Sequence, residues 1–383
     1  MLPISVCIIA RNEERHIEEC LKALKPYHCE IVLVDTGSTD NTLTLAAGYT
    51  DQIYHFDWCD DFSAAKNYAV SKASNDWILS IDCDEYLESI DIKKLSALME
   101  RHPQKAGRIL LRNRFRQDGL VSFEHVRLCR FFNRNCYHFT GKIHEQVTPK
   151  PACTNAEDAY NSEAVSGPCA NVPISADTPD IPDRSPAMPA VNVPISVLHV
   201  GYDTSEEEMQ SKSRRNIALL EQELKSAGPD AYLYYQLGQS YMKLKDYEKA
   251  YEWFHLGLSM DLEPSQDYVQ NMVESYGYCL LDMKRFEEAL GLENIYEVFA
   301  VRADFVFLMG LIYMNNGLFA EAIEAFEKCT TMEQFSVEGI NSYRAYYNIG
   351  VIYECTGHAD EARKYYKKCG GFGMAQSRLR ELL

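Results

Sequence analysis

Long apolar runs are missing from the start of this 383-residue chain: the stretch Ile4 to Ala10 ends at Arg11, far short of the roughly 20 residues a membrane span needs. No signal-peptide layout surrounds it, so a cytoplasmic protein without a membrane span is expected. Positive charge is scarce, with Lys plus Arg at 38 against 56 for Asp plus Glu and a formal net charge of -18. That balance leaves no electrostatic footprint for a broad phosphate backbone, and no nucleic-acid partner is expected. Cys-x-x-Cys pairs are absent too. The 13 cysteines, an odd number scattered from Cys7 to Cys369, form neither a disulfide framework nor a zinc-ribbon spacing and read as reduced thiols. What is present is a hydrophobic share of 46%, which argues against disorder, and enough length for two domains of ordinary size, each with a core.

From residue 1 to about 145, short apolar runs alternate with amphipathic stretches. Ile4 to Ile9 and Glu30 to Val34 read as strands, and Glu13 to Lys25 reads as a helix with Ile17, Leu21 and Leu24 on one side. A second helix signal follows the polar cluster Ser38-Thr39-Asp40, and a helix around Ala64 to Lys72 precedes the strand Trp77 to Ile81. Strands alternating with helices predict a mainly parallel sheet covered on both faces. Residues 150–196 break the pattern. This stretch is rich in Pro, Ala, Asn and Ser, and Asn-Val-Pro-Ile-Ser occurs at 171–175 and again at 192–196. It reads as a low-complexity surface insertion, with a strand at its end from Ile195 to Leu198.

Past residue 205 the chain reads as entirely helical, and it repeats. Tyr234, Leu237, Gly238, Tyr241, Ala250 and Phe254 fit the tetratricopeptide spacing of two antiparallel helices. Val306, Met309, Gly310, Tyr313, Ala322 and Phe326 form another copy, as do Tyr346, Ile349, Gly350, Tyr353, Ala362 and Tyr366. A weaker copy lies at Tyr276, Gly277 and Ala289, with Glu293 where the aromatic belongs. Small residues let the paired helices approach, and aromatics fill the gaps between repeats. Two domains are expected, 1–204 and 205–383, the first containing the 150–196 insertion.

Two acidic clusters stand at the ends of predicted strands. Asp35 closes the run Ile31 to Val34, and Asp82-Cys83-Asp84-Glu85 follows Trp77 to Ile81. Ligands of open α/β sheets bind outside the carboxyl ends of the strands, so acids there are placed for a site. A carboxylate can accept the imide N–H of a nucleotide base, and acids two residues apart can hold a ribose hydroxyl and a hard divalent ion. Turn or cap acids are the alternative, because turns are rich in Asp.

Ile8-Ile-Ala-Arg-Asn-Glu13, Val34-Asp-Thr-Gly-Ser-Thr-Asp40, Asp61-Phe-Ser-Ala-Ala-Lys-Asn67 and Ile81-Asp-Cys-Asp-Glu85 resemble, in order and spacing, the motifs of family-2 glycosyltransferases with the GT-A nucleotide-sugar-binding fold. The resemblance covers roughly residues 3 to 150. With the helical repeats, the whole chain is similar to bacterial peptide S-glycosyltransferases of glycosylated bacteriocin pathways and to related protein or polysaccharide transferases. It implies that Asp35 binds the uracil of a UDP-sugar, with Ala10, Arg11 and Glu13 lining the nucleotide. Lys66, where the family usually has Arg, would face the base or diphosphate beside Asn67, without arginine's planar bidentate contact. Asp82 would contact ribose and Asp84 the metal, Mn²⁺ or Mg²⁺; Cys83, counted with this nucleotide-binding segment, alternates to the opposite side.

Downstream, Arg127-Leu-Cys-Arg130 and Gly141-Lys-Ile-His-Glu145 form a second constellation. Inverting transfer needs a base for the acceptor proton and positive groups for the leaving diphosphate. Related transferases carry a similar Gly-x-x-His-Glu segment, so Glu145 is expected as general base, with His144 placing acceptor or metal; a salt-bridged surface pair is the alternative. Arg127 and Arg130 would face the diphosphate or pair the surplus acids. The family also places a His-x-Gly-Tyr at the end of its catalytic domain, and His199 would join Asp84 at the metal or sit buried at the domain junction.

The expected protein is a metal-dependent, inverting hexosyltransferase that uses UDP-glucose or UDP-N-acetylglucosamine and modifies a Ser, Thr or Cys of a peptide or protein. Its repeats would hold that acceptor or a second copy of the chain. The alternatives are a saccharide acceptor from a surface polymer, or a scaffold with a degenerate GT-A domain.

Overall fold

A computed structural model describes residues 3–117, 120–151, 190–201 and 206–382, and it divides into two units. In the first, β1 (Ile4–Ala10), β2 (Glu30–Asp35), β3 (Ile53–His55) and β4 (Trp77–Ser80) run parallel in the order β3-β2-β1-β4. They alternate with helices α1 (Ile17–Leu24), α2 (Thr42–Ala46) and α3 (Phe62–Lys72). Beyond them come β5 (Glu85–Ile90), α4 (Ile92–Arg101), the long hairpin β6 (Ala106–Gln117) and β7 (Leu120–Asn133), the pair β8 (Tyr137–Thr140) and β9 (Gln146–Pro149), and β10 (Ala190–His199). The sheet continues β4-β7-β6-β10-β5, with β7 antiparallel to both neighbours, β10 parallel to β6 and β5 antiparallel to β10. It is thus parallel over its first four strands and mixed beyond them. The β6–β7 hairpin escapes a sequence pattern search because Arg108, Arg112, Arg114 and Arg116 make β6 read as polar, although the residues between them alternate inward as a strand requires.

Both faces of the sheet are covered, as the apolar runs predict. Ile4, Val6 and Ile8 of β1 meet Ile17, Leu21 and Leu24 of α1 and Leu95 of α4, whereas Cys7, Val32 and Val34 pack on the opposite side with Ala69 and Val70 of α3. The second Asn-Val-Pro-Ile-Ser copy lies inside β10, so the expected insertion ends by Ala190; the first copy lies outside the described residues. Pro194 is tolerated between two sheet neighbours because the pairing with β6 is irregular between Asn192 and Ser196. The eleven described cysteines are free thiols, and no described helix is long and apolar enough to cross a membrane.

At the start of β2, Glu30 accepts hydrogen bonds from the Ser5 hydroxyl, from the Ser74 backbone N–H at 2.9 Å and from Gln52 Nε2 at 2.9 Å. Burial pushes its carboxyl up, but Ser5, Ser74 and Gln52 together bring it down to about 2. A folded-state value below the unfolded one adds stability above the ordinary carboxylate range, and that stability is lost as pH falls toward the folded value. Glu30→Gln is therefore expected to lower the urea midpoint at neutral pH, with the gap to the parent protein closing between about pH 5 and pH 2. A gap that stays constant over that range would contradict the assignment.

Helix α5 (Glu206–Ala227) follows β10 along the chain, and the second unit contains helix pairs α6 (Ala231–Lys243) and α7 (Tyr247–Leu258), α11 (Ala303–Asn315) and α12 (Phe319–Cys329), and α13 (Tyr343–Cys355) and α14 (Ala359–Lys368), closed by α15 (Gly373–Glu381). Three glycines explain the pairing. A Cβ on Gly238, Gly310 or Gly350 would come within 2.3, 2.7 and 2.5 Å of the rings of Phe254, Phe326 and Tyr366 on the partner helix, so only glycine lets the aromatic lie against the backbone. The weaker copy is built differently. Its first helix, α8 (Asp267–Asp282), is complete, but the second is broken into α9 (Phe286–Ala289), a 3-10 turn over Leu290–Ile295 and α10 (Tyr296–Phe299). Leu308 and Leu292, rather than an aromatic, take the place beside Gly277, at 2.6 and 2.9 Å from where a Cβ would lie, which explains how Glu293 stands at the aromatic position.

Candidate active site

The parallel strands decide where the acids stand. Ala10 and Asp35 are register partners at the carboxyl ends of β1 and β2, and the Ile81 N–H donates to the carbonyl of Cys7, which sets Asp82 to Asp84 at the same edge. Asp35 is buried. Its carboxylate accepts from the backbone N–H groups of Gly37 at 3.1 Å and Ser38 at 3.0 Å, and its Oδ2 lies 3.6 Å from His55 Nδ1. Asp35 therefore shapes its own turn as the cap alternative supposed, while remaining at the strand end where a ligand would sit. Arg11 is exposed, and the Glu13 N–H donates to Thr42 Oγ1 at 2.8 Å, tying the loop after β1 to α2.

A four-charge cluster lies next to this edge. Lys66 of α3 is only 3% exposed, and its Nζ is 2.9 Å from Asp82 Oδ1 and 2.6 Å from Glu145 Oε1. Arg130 reaches the same acids, at 3.4 Å from Asp82 Oδ2 and 3.5 Å from Glu145 Oε1. It can do so because β7 bulges: Gly107 pairs with Phe131 and Arg108 with Cys129, which leaves Arg130 as the extra residue aimed out of the ladder.

The cluster sets the proton affinities. Burial and Arg130 push Lys66 down, and Asp82 with Glu145 more than offset them, so the ammonium is held charged. Burial pushes Asp82 and Glu145 up, but Lys66 and Arg130 bring both below the ordinary carboxylate range. Glu85, buried and accepting from the Asp82 N–H at 2.9 Å, moves the other way, raised by burial and by the charge of Asp82.

His199, the last residue of β10, brings its Nε2 to 3.6 Å from Asp84 Oδ2, and the Val200 N–H donates to the Asp84 carbonyl at 3.0 Å. Burial lowers the imidazole and Asp84 raises it, with a net rise. Gly201 keeps the space above them open: a Cβ there would lie 2.2 Å from Asp84 Oδ2 and 2.5 Å from His199 Nε2. Among the described residues no group of three or more His, Cys, Asp or Glu is arranged to hold a metal ion. One oxygen and one nitrogen donor converging under a glycine nevertheless fit Mn²⁺ or Mg²⁺, ions that take their remaining ligands from water and phosphate.

Two of the residues read from the sequence stand apart from the cluster. Arg127 does not join the cluster: it is exposed and stands opposite Leu110. Only Arg130 is turned by the bulge, three residues further on. The Cys83 side chain faces the other way from its two neighbours, with its Sγ in the core at 3.5 Å from the Ile9 carbonyl. His144 precedes Glu145 in a left-handed backbone conformation, φ 51°, which turns the chain between β8 and β9. Asn67 ties α3 to β8 by donating to the carbonyl of Phe139 and accepting from its N–H, both at 2.9 Å. Glu85 and Gly201 lie within the stretches read for Asp84 and His199, but their roles rest on burial and close approach, which spacing does not report.

An open α/β sheet with acids at the carboxyl ends of neighbouring parallel strands and a cationic pair beside them defines a class of domain that takes its ligands at those strand ends. The Glycosyl transferase family 2 model matches residues 5–143, and tetratricopeptide repeat models match 231–263, 303–335 and 343–369. The chain carries a family-2 glycosyl transferase domain followed by tetratricopeptide repeats. His144 and Glu145 fall just beyond the matched catalytic span, and the broken repeat lies between the matched ones.

A TPR repeat-containing protein of Synechococcus elongatus is 30% identical over 270 residues, 70% of this chain and 60% of that protein. The SPbeta prophage-derived glycosyltransferase SunS of Bacillus subtilis is 28% identical over 231 residues, 58% of this chain and 46% of its own. The lipopolysaccharide core biosynthesis glycosyltransferase LpsC of Rhizobium meliloti is 30% identical over 166 residues, 40% of this chain and 60% of its own. The matches thus span about half to three-fifths of the length of these relatives.

Proposed function

We propose that the chain is an inverting glycosyltransferase that moves a hexose, glucose or N-acetylglucosamine, from a UDP-sugar to a Ser, Thr or Cys side chain of a peptide or protein. The observation that carries this reading is the meeting of Asp82, Glu145, Lys66 and Arg130 beside the strand ends that hold Asp35 and Asp84. Asp35 accepts from the uracil, the loop of Ala10, Arg11 and Glu13 borders the nucleotide, and Asp82 takes the ribose. Asp84 and His199 hold a divalent cation, which supplies positive charge to the departing diphosphate when bound.

Lys66 and Arg130 exchange their acidic partners for diphosphate oxygens as the donor arrives. That exchange matters because a carboxylate held low by two cations is a poor proton acceptor, and losing them raises its affinity for a proton. Glu145 then takes the proton from the acceptor O–H or S–H. The acceptor atom forms its bond to the anomeric carbon, and the bond from that carbon to the diphosphate oxygen breaks with its electron pair leaving on UDP. His144 helps to place the acceptor, and the helical repeats hold its polypeptide or a second copy of the chain.

A saccharide acceptor is the second reading, favoured by the likeness to the Rhizobium lipopolysaccharide core enzyme. Incubating the protein with radiolabelled UDP-glucose or UDP-N-acetylglucosamine, Mn²⁺, a peptide array and a panel of oligosaccharides separates the two. Label on peptides is the expected result, label on saccharides alone selects the second reading, and absence of both UDP binding and hydrolysis selects a scaffold.

A further inference from the structure

We propose that Glu124 and Asn113 are positioning residues that hold the His199 ring in the tautomer presenting Nε2 to a divalent cation beside Asp84. The proposal rests on the reading of Asp84 and His199 as a cation site. Three strands bring the residues into one row, since Asn113 of β6 is the register partner of Glu124 on β7 and of His199 on β10. The side chains connect along that row. Asn113 Nδ2 donates to Glu124 Oε2 at 2.9 Å, and Asn113 Oδ1 lies 2.9 Å from His199 Nδ1.

The order of donors and acceptors follows from the first residue in the row. An ionised carboxylate only accepts, so Asn113 must turn its NH₂ toward Glu124 and its oxygen toward the imidazole. An amide oxygen also only accepts, so Nδ1 must carry the ring proton. The neutral ring is then left with its lone pair on Nε2, the atom 3.6 Å from Asp84 Oδ2. Asn113 is 5% exposed, which limits competition by water for the amide. Without Glu124 the amide could rotate, its NH₂ would donate to Nδ1, and the proton would move to Nε2 and block the ligand position. Outer hydrogen bonds of this kind are typically worth a factor of about 10–100 in metal affinity.

Long-range ¹H–¹⁵N correlations of His199 with diamagnetic Mg²⁺ present, whose charge offsets the pull of the Asp84 carboxylate on an Nε2 proton, read the tautomer directly, and electron paramagnetic resonance reads Mn²⁺ binding. The parent protein is expected to show Nδ1–H. Asn113→Leu should lose that preference and raise the Mn²⁺ dissociation constant about 10–100-fold. Glu124→Lys should reverse it, because a lysine donates to the amide oxygen and turns the NH₂ toward the ring; this variant at a half-buried position keeps the test open if the buried substitution prevents folding. A parent ring carrying Nε2–H, or variants with parental tautomer and Mn²⁺ affinity, would overturn the relay. Nδ1–H in a parent protein that binds no Mn²⁺ would instead overturn the cation-site reading and the purpose given to the relay.

Discussion

Glu145→Gln is expected to lower kcat by about 10²–10⁴ while UDP still binds, the range that a well-placed general base contributes. The substitution keeps the shape of the side chain and removes the negative charge that Lys66 meets at 2.6 Å and Arg130 at 3.5 Å. Both cations then have one competitor fewer, so the dissociation constant for UDP should stay the same or fall. This combination separates a base from a binding residue: loss of a group that bound the donor would raise that constant together with the loss of rate. Calorimetric titration with UDP and single-turnover transfer on the same preparation give both numbers. Retention of most of the transfer rate would place the base elsewhere, with Glu145 acting only as a partner of the two cations.

Lys66→Met should be the most destabilising single change at the site, costing about 3–5 kcal/mol, because it removes the cation from a buried ionic pair and leaves a carboxylate unsatisfied. The geometry makes this severe. Glu145 has a side chain only 10% exposed and would keep Arg130 alone, at the longer distance, whereas Asp82 is 36% exposed and can recover part of its hydration. Adding Glu145→Gln to Lys66→Met should therefore regain part of the loss, since removing both partners of a buried pair costs less than removing one. Urea unfolding of the parent, the two single variants and the double variant measures the coupling; strictly additive losses would mean that the two side chains do not stabilise one another. Lys66→Arg tests a different property, the fit of a planar fork in a space shaped for an ammonium.

The acids were legible as motifs because strand ends are. An apolar run followed by Asp marks the carboxyl edge of a buried strand, and the register of β1 with β2 places Asp35 there as the run of Ile31 to Val34 implies. The helical repeats were legible for a similar reason: glycine and aromatic positions recur at fixed spacing, and Gly238 with Phe254 forms the contact that the spacing demands. Spacing alone did not separate Arg130 from Arg127, because a β-bulge adds one residue between two positions and redirects only the one that bulges. Asn113 gave no local signal, since its partner His199 is 86 residues away and reaches it only through strand pairing.

By itself the sequence determined the division into an α/β part and a helical-repeat part, and it singled out Asp35, Asp82, Asp84, Glu145 and His199 as candidates, because periodicity and turn chemistry act over a few residues. The tertiary structure alone decided which charges meet. Lys66, Asp82, Arg130 and Glu145 come from a helix, a strand end, a bulged strand and a turn, and their proton affinities follow from burial and mutual distance rather than from spacing along the chain.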